Sequence, residues 1–303
     1  MSKQLMAVCA APVVAARAAY TAFHPPRPAG RRRPDQFGLE AEEFTIAVTP
    51  GPTRLSAWLC RGDPGRVVLL GHGLGLEKSR SLPYARFLHR HGFTVLLFDF
   101  RNHGDSSQDH GFAGYDRRFA QDAVAAATHL RAMPEFAEAR LALYGFSLSS
   151  FAMMRSLDAL HGVVDAVVCD SGPASDPPAI APNLLRSGLV PVPAAMREAP
   201  ARAVTEHLFR LFNRITMGSS GDWPPKPDRP VYATTPMLFI AGGADSVVPA
   251  EEILRLARVY PRAQTLVVPG AKHLRAMWTD KEQYTSTVLD FLERCLDPTK
   301  AVH

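Results

Sequence analysis

Residues 141–150 read LALYGFSLSS, an apolar strand-like run that passes through a tight turn into a helix predicted over 148–160. A serine held in a sharp strand-to-helix turn needs small residues two positions before and after it. Gly145 and Ser149 meet that need around Ser147. Such a turn lifts the serine hydroxyl above the sheet and directs the N-terminus of the helix at developing negative charge. The segment therefore predicts that Ser147 is a nucleophile, the alternative being a serine that only caps the helix.

Strand-like and helix-like segments alternate on both sides of this turn. Alternation of this kind predicts right-handed βαβ units, and hence a mostly parallel central sheet with helices on both faces. A hairpin across the Pro-Gly-Pro turn at 50–52 adds antiparallel strands at the start. The predicted strands lie at 44–48, 54–60, 66–70, 93–100, 141–146, 165–169, 237–241 and 264–268, and the predicted helices at 83–91, 117–133, 148–160, 203–217, 250–259 and 281–296.

The alternation is interrupted late in the chain by a proline-rich segment without strand-like runs. We expect this segment, 172–235, to form a small helical cap over the carboxyl ends of the strands, where open α/β sheets bind ligands. The core is then predicted at 41–171 and 236–303, preceded at 1–40 by an apolar segment and a linker rich in proline and arginine. Some apolar cap residues are expected to line an acyl pocket, and the candidates are Leu184, Leu208, Phe212 and Trp223.

An acidic residue and a histidine follow the last two predicted strands, in the segments GGADSVVP (Asp245) and PGAKH (His273). The histidine would accept the proton of Ser147 and return it to the leaving group, while Asp245 would fix the imidazole tautomer and stabilise the imidazolium. Taken singly, Asp245 fits a helix N-cap and His273 a loop histidine. Three such loops at one sheet edge favour a catalytic triad. Asp170, which ends the strand after the serine turn, is an alternative partner for His273.

A glycine-rich turn, GHGLG at 71–75, follows the predicted strand 66–70. Glycines in that position let backbone N–H groups face a reacting carbonyl, so the N–H groups of Leu74 and Leu148 are the candidate oxyanion hole. This is a backbone role, which the side chain of Leu74 does not decide. The alternative is a tight turn that uses glycine only for its conformational freedom.

These segments resemble the α/β-hydrolase superfamily. His72-Gly73 resembles its oxyanion loop, the segment DFRNHGDS at 99–106 resembles its D-x-R-x-H-G-x-S loop, and the chain order Ser147, Asp245, His273 is the order of its triads. The resemblance spans roughly residues 44–296 and is strongest to bacterial serine hydrolases of the lysophospholipase- or esterase-like type. It implies that Arg101 and His103 are structural.

The resemblance implies a serine hydrolase that cleaves a carboxylic ester, or a related acyl bond, of a small-molecule substrate through an acyl-enzyme. Because the cap is apolar, a medium or long acyl chain is expected. Acyltransferases, thioesterases and biosynthetic cyclases would use the same triad, and a non-catalytic binding module is a third alternative. Related enzymes use aspartate or cysteine as the nucleophile. The serine at position 147 excludes their chemistry for this chain. Because no metal-ligand spacing, P-loop or G-x-G-x-x-G motif is present, neither a metal nor a cofactor is expected.

The composition, 47% apolar and 21% charged, is that of a globular protein. The net charge of +5 comes from scattered residues, so no nucleic-acid partner is expected. The exception is the run Arg31–Arg33, interpreted as a solvated linker or an anionic-lipid contact. Residues 1–23 fit a packed amphipathic helix, a peripheral membrane anchor or a secretory signal. The expected location is cytoplasmic, with membrane association through that segment left open, and the sequence does not specify the oligomeric state.

Overall fold

The structure, a computed structural model, describes residues 3–27, 32–218 and 221–297, and within those ranges eight strands form one sheet. The sheet order is β1-β2-β4-β3-β5-β6-β7-β8. The strands are β1 (Glu42–Ala47), β2 (Arg54–Cys60), β3 (Asp63–Leu70), β4 (Phe93–Phe98), β5 (Arg140–Phe146), β6 (Ala166–Asp170), β7 (Met237–Gly242) and β8 (Ala263–Val268). The helices are α1 (Lys3–Phe23), α2 (Leu82–Arg90), α3 (Tyr115–Ala132), α4 (Leu148–Ser156), α5 (Pro177–Arg186), α6 (Ala201–Met217), α7 (Pro230–Thr234), α8 (Ala250–Ala257), α9 (Ala276–Thr279) and α10 (Lys281–Leu296).

The sheet is mostly parallel, as the alternation of elements predicts. Strand β2 pairs antiparallel with β1 and with β4. From β4 to β8, in the order β4-β3-β5-β6-β7-β8, neighbouring strands pair parallel. Successive residues of β5 enter different apolar clusters: Leu141 and Leu143 pack on one face of the sheet, Ala142 and Tyr144 on the other. Helices cover both faces, which explains why the strands are almost continuously apolar. The predicted α/β-hydrolase fold is confirmed.

Most predicted elements are present, and two of their boundaries differ for identifiable reasons. Strand β4 ends at Phe98 because the carboxylate of Asp99 and the N–H of Phe100 bond to loop residues. Helix α4 ends at Ser156, and the last four predicted residues form a 3₁₀ turn. The sequence prediction missed α5, α7 and the single-turn helix α9. Both α5 and α7 begin with proline, a common first helical residue.

The segment between β6 and β7 contains α5, α6 and α7 and no strand among its described residues. Helix α6 packs against α5 and, more extensively, against the N-terminal helix α1. The predicted helical cap is therefore joined by an element from the opposite end of the chain. The ring of Phe23, the last residue of α1, stacks on Tyr115 at a centroid distance of 5.1 Å.

Helix α1 is long and apolar enough to cross a membrane by the criteria of length and composition. In the structure it lies on the cap, with an alanine-rich face buried. The linker prediction falls partly on residues 28–31, including Arg31 of the arginine run, which lie outside the described residues. The four cysteines Cys9, Cys60, Cys169 and Cys295 are unpaired thiols, and Cys60 and Cys169 are fully buried in strands.

Candidate active site

Ser147 lies in the turn between β5 and α4, with φ 53° and ψ −110°. Positive φ is costly for a residue with a side chain, and this strain is held by the strand and helix on either side. The turn requires glycine at position 145, where a Cβ would lie 2.4 Å from the backbone nitrogen of Ser150. Gly172 also packs closely on the turn, since a Cβ there would lie 3.2 Å from the Cα of Ser147. The backbone therefore presents the serine hydroxyl as the sequence predicts.

Ser149, which replaces the second glycine usual in this turn, fits because Gly71 lies opposite. A Cβ on Gly71 would lie 2.5 Å from the Cβ of Ser149. The hydroxyl oxygen of Ser149 also accepts a hydrogen bond from the N–H of Phe146 at 2.6 Å. The serine thus satisfies a buried backbone donor that a glycine would leave without this partner.

His273 lies between Ser147 and Asp245. Its Nε2 is 3.0 Å from the Oγ of Ser147, and its Nδ1 is 2.7 Å from Oδ2 of Asp245. The second carboxylate oxygen of Asp245 accepts from the N–H groups of Val247 and Val248 at 2.8 and 3.0 Å. The carboxylate is fully buried, and these donors fix its orientation so that Oδ2 faces the imidazole. This is the geometry of a nucleophile, a general base and an orienting acid.

Asp170, the alternative acid, has other partners. Its two oxygens accept hydrogen bonds from the hydroxyls of Ser171 at 2.8 Å and Tyr284 at 2.6 Å. The Oγ of Ser171 in turn accepts from the N–H of Leu274 at 3.0 Å, and Leu274 follows His273 directly with φ 57°. Burial raises the pKa of Asp170 to about 6. Asp170 is thus placed to anchor the histidine loop rather than the imidazole itself.

The candidate oxyanion donors lie beside Ser147, where Leu74 and Leu148 both line the same cavity. Leu148 is the first residue of α4, so its N–H has no partner within the helix. Among the described residues, neither that N–H nor the N–H of Leu74 donates a hydrogen bond to another group. Both residues thus line the cavity over Ser147 with backbone donors that have no acceptor among the described residues, as an oxyanion hole requires.

Two buried histidines hold the loop that carries Leu74. His72 Nε2 accepts from the N–H of Phe100 at 3.1 Å, and His103 Nε2 accepts from the N–H of Gly75 at 3.3 Å. Accepting at Nε2 places the proton of each neutral ring on Nδ1, where it bonds a backbone carbonyl. Burial lowers the pKa of His72 and lowers that of His103 to about 3. Both rings are therefore neutral near pH 7, in keeping with the structural role predicted for His103.

Arg101, the other residue expected to be structural, is almost fully buried and forms a bidentate ion pair with Asp122. The sequence motif identified the loop but not these partners. Tyr284, which supports Asp170, was also missed, because it lies on α10, 114 residues further along the chain.

A cavity of about 690 Å³ opens over Ser147 between the sheet edge and the cap. Its wall on the cap side is apolar and comes from α5, α6 and the connection between them. Of the predicted pocket residues, Leu184 lines the cavity, whereas Leu208, Phe212 and Trp223 lie outside its lining. Leu208 and Phe212 pack in the apolar cluster that includes α1, and Trp223 packs on Phe151 with a ring distance of 4.2 Å. Further apolar lining residues are Ile180, Leu189, Met217 and Val248.

No group of three or more metal-binding side chains occurs among the described residues. The chemistry that the arrangement can perform is nucleophilic attack by an activated serine at a carbonyl. Backbone N–H groups and the imidazolium would stabilise the negative charge that develops on the carbonyl oxygen, in a mostly apolar cavity.

The sequence model of the alpha/beta hydrolase family matches residues 67–285. An uncharacterized protein of Mycobacterium tuberculosis is 29% identical over 267 residues, covering 86% of this chain and 81% of that protein. The sn-1-specific diacylglycerol lipase ABHD11 of Mus musculus is 28% identical over 276 residues, covering 80% of this chain and 86% of the lipase. Because the family model covers well over half of the chain, the protein belongs to the alpha/beta hydrolase family.

Solved structures of esterases share the fold. An esterase of Pyrococcus furiosus superimposes with a TM-score of 0.66 at 22% identity, covering 90% of this chain and 99% of the esterase. Est1E of Butyrivibrio proteoclasticus, solved with ferulic acid bound, gives a TM-score of 0.58 at 17% identity, covering 83% of this chain and 98% of that one. At these identities the likeness concerns the fold.

Proposed function

We propose that the protein is a serine hydrolase that cleaves a carboxylic ester through an acyl-enzyme on Ser147. The observation that carries the proposal is the continuous set of hydrogen bonds from Asp245 through His273 to the hydroxyl of Ser147. The mouse relative is named a diacylglycerol lipase and the structural neighbours are named esterases, which supports ester chemistry on this fold.

The proposed reaction follows from the geometry. Ser147 Oγ attacks the ester carbonyl carbon as His273 Nε2 takes the hydroxyl proton, and Asp245 stabilises the resulting imidazolium. The N–H groups of Leu74 and Leu148 bind the oxyanion. Collapse of the tetrahedral intermediate breaks the bond to the alcohol, which leaves with the proton of His273. Water then attacks the acyl-enzyme with His273 again as base, releasing the acid and the serine.

The cavity supports a substrate with an acyl chain of medium length. Ligand pockets typically enclose about 300–1,000 Å³ and hold their ligands through apolar walls with a few polar groups. The cavity here falls in that range, with its apolar wall on the cap and the reactive groups at the sheet edge. A chain extending from Ser147 toward α5 would pass Leu184.

The test is hydrolysis of p-nitrophenyl esters of increasing acyl length by the wild type, by Ser147→Ala and by Ser286→Ala. Ser286 is an exposed serine on α10, so its variant makes the same chemical change away from the cavity. We expect a chain-length optimum, loss of turnover in Ser147→Ala only, and covalent labelling of Ser147 by a fluorophosphonate. A folded wild type that neither labels nor hydrolyses any ester would refute the proposal, and labelling without ester turnover would indicate acyl transfer instead.

A further inference from the structure

Large exposed apolar side chains concentrate on the outer side of the cap. Val13 of α1 is 74% exposed, and Met6 of the same helix is 50% exposed. Leu211 and Ile215, on the neighbouring helix α6, are 50% and 47% exposed. Single exposed apolar residues are ordinary on a protein surface, but a group of them on two packed helices indicates a contact surface.

Helix α1 has the reverse of the pattern usual for a surface helix. A helix on a globular protein normally buries its large apolar residues and exposes polar ones. Helix α1 instead buries mainly alanines and exposes three larger apolar residues, Leu5, Met6 and Val13. Its buried residues are Ala7, Ala11, Ala15, Ala18, Ala19, Ala22 and Phe23. Packing within this chain does not account for the apolar outer side.

The charged residues on the same two helices are mostly basic. Helix α1 contains no acidic residue, and the single acid of α6, Glu206, forms an ion pair with Arg186 of α5. The exposed basic residues are Lys3 and Arg17 on α1 and Arg202, Arg210 and Arg214 on α6. We call the outer side of this helix pair, with its apolar and basic residues, the α1–α6 face.

We propose that the α1–α6 face docks on the surface of an anionic lipid bilayer. An apolar stripe flanked by lysine and arginine is the pattern of a helix that lies in the plane of the membrane interface. Val13, Met6, Leu211 and Ile215 enter the boundary between headgroups and acyl chains. Long basic side chains such as Arg17 extend beside them to lipid phosphates. The alanine face of α1 stays on α6, so docking requires no rearrangement of the cap.

The docked orientation also places the cavity close to the bilayer. Phe23 ends α1, Met217 ends α6, and both line the cavity over Ser147. The cavity over Ser147 therefore lies at one end of the helix pair that would contact the bilayer. The function of this cavity rests on the proposed ester hydrolysis, whereas docking itself does not.

The test is sedimentation of the purified full chain with sucrose-loaded vesicles, without substrate. Vesicles of phosphatidylcholine alone are compared with vesicles that contain about one part phosphatidylserine to two parts phosphatidylcholine. We expect binding to the anionic vesicles, which weakens as salt screens the basic residues. Because binding is measured in the absence of hydrolysis, its failure and the failure of the proposed activity are separate results.

Two variants and two matched controls locate the contact. Val13→Asp should lower the partition coefficient at least about tenfold, because it places a charge within the apolar stripe. The double variant Arg210→Gln with Arg214→Gln should lower it about fivefold for each charge removed. Val259→Asp, at an exposed position that follows α8, makes the same change as Val13→Asp elsewhere and should bind as the wild type does. The double variant Arg255→Gln with Arg258→Gln removes two exposed charges elsewhere and should also bind as the wild type does. Equal melting temperatures would show that all variants are folded.

Three results would overturn the proposal. The first is no binding of the wild type to anionic vesicles. The second is binding that resists both high salt and alkaline carbonate, because that indicates a spanning helix. The third is a dimer in light scattering that Val13→Asp dissociates while vesicle binding is unchanged, because the face then contacts a second copy of the chain.

Discussion

Asp245 and Asp170 are two buried carboxylates near one histidine, and their partners separate their roles. Asp245 bonds the imidazole directly, while Asp170 bonds hydroxyls that hold the loop after it. We expect Asp245→Asn to lower kcat about 10⁴-fold, because the amide favours the wrong imidazole tautomer. Asp170→Asn should cost far less, because an amide can still bond the two hydroxyls. Ester hydrolysis by both variants measures this, and an equal loss would contradict the assignment of the acid.

The burial of Asp170 also predicts that the free energy of unfolding depends on pH. Its pKa is raised from 3.8 to about 6 by burial, so the folded protein binds the proton more tightly than the unfolded chain does. The contribution of Asp170 to the free energy of unfolding should therefore fall as the pH rises from about 4 to about 6 and stay constant above that. The stability of the wild type relative to Asp170→Asn should fall over the same window. Urea unfolding of both proteins at several pH values tests this, and a difference independent of pH would contradict it.

At the scale of elements, the serine turn and the strand beside it are fitted to each other through Gly71 and Ser149. We expect Gly71→Ala to destabilise the protein by at least about 1–3 kcal/mol, because its Cβ would overlap Ser149. Adding Ser149→Gly removes the two nearest atoms and leaves the flexible end of Met153 at 3.2 Å. The double variant should therefore lose less free energy of unfolding than the two single variants lose together. Urea unfolding measures these free energies. If the two losses simply add in the double variant, residues 71 and 149 are not coupled.

The loop after β4 is organised around a second buried ion pair. Lys78 and Asp99 have no exposed side-chain surface and lie 2.7 Å apart, and the N–H of Lys78 also donates to Asp99. We expect Lys78→Met to lower the free energy of unfolding by about 3–5 kcal/mol, because it leaves a buried carboxylate without its counter-charge. Arg61→Met, which breaks exposed pairs with Glu42 and Glu135, should cost at most about 1 kcal/mol. Urea unfolding of both variants measures this. Equal losses of unfolding free energy in Lys78→Met and Arg61→Met would show that burial does not make the Lys78–Asp99 pair more important than the exposed pairs.

For the whole molecule, local signals were sufficient to predict the strands and the strand-free segment between β6 and β7. They also selected Ser147, Asp245 and His273, whose side chains the structure places within hydrogen-bonding distance in sequence. A strand can be predicted from a short apolar run alone. Ser147, Asp245 and His273 each lie in the loop that follows such a run. The partners of Asp170 and of the oxyanion loop could not be predicted, because they depend on contacts between distant segments. Leu208 and Phe212 show the same limit. Their spacing on one side of α6 is evident in the sequence. The packing of α1 on that helix, which covers them, is not.

The distance along the chain between Ser147 and His273 has a consequence for folding. These residues are 126 positions apart, and the loop with Leu74 lies earlier still. Contacts of such high sequence separation form slowly, since the chain loses much entropy before they are gained. The arrangement of Ser147 and His273 is thus completed only when β8, the last strand among the described residues, joins the sheet. During synthesis the nascent chain would expose Ser147 well before His273 emerges from the ribosome. Under the proposed function, the unfinished polypeptide would therefore be unable to hydrolyse an ester.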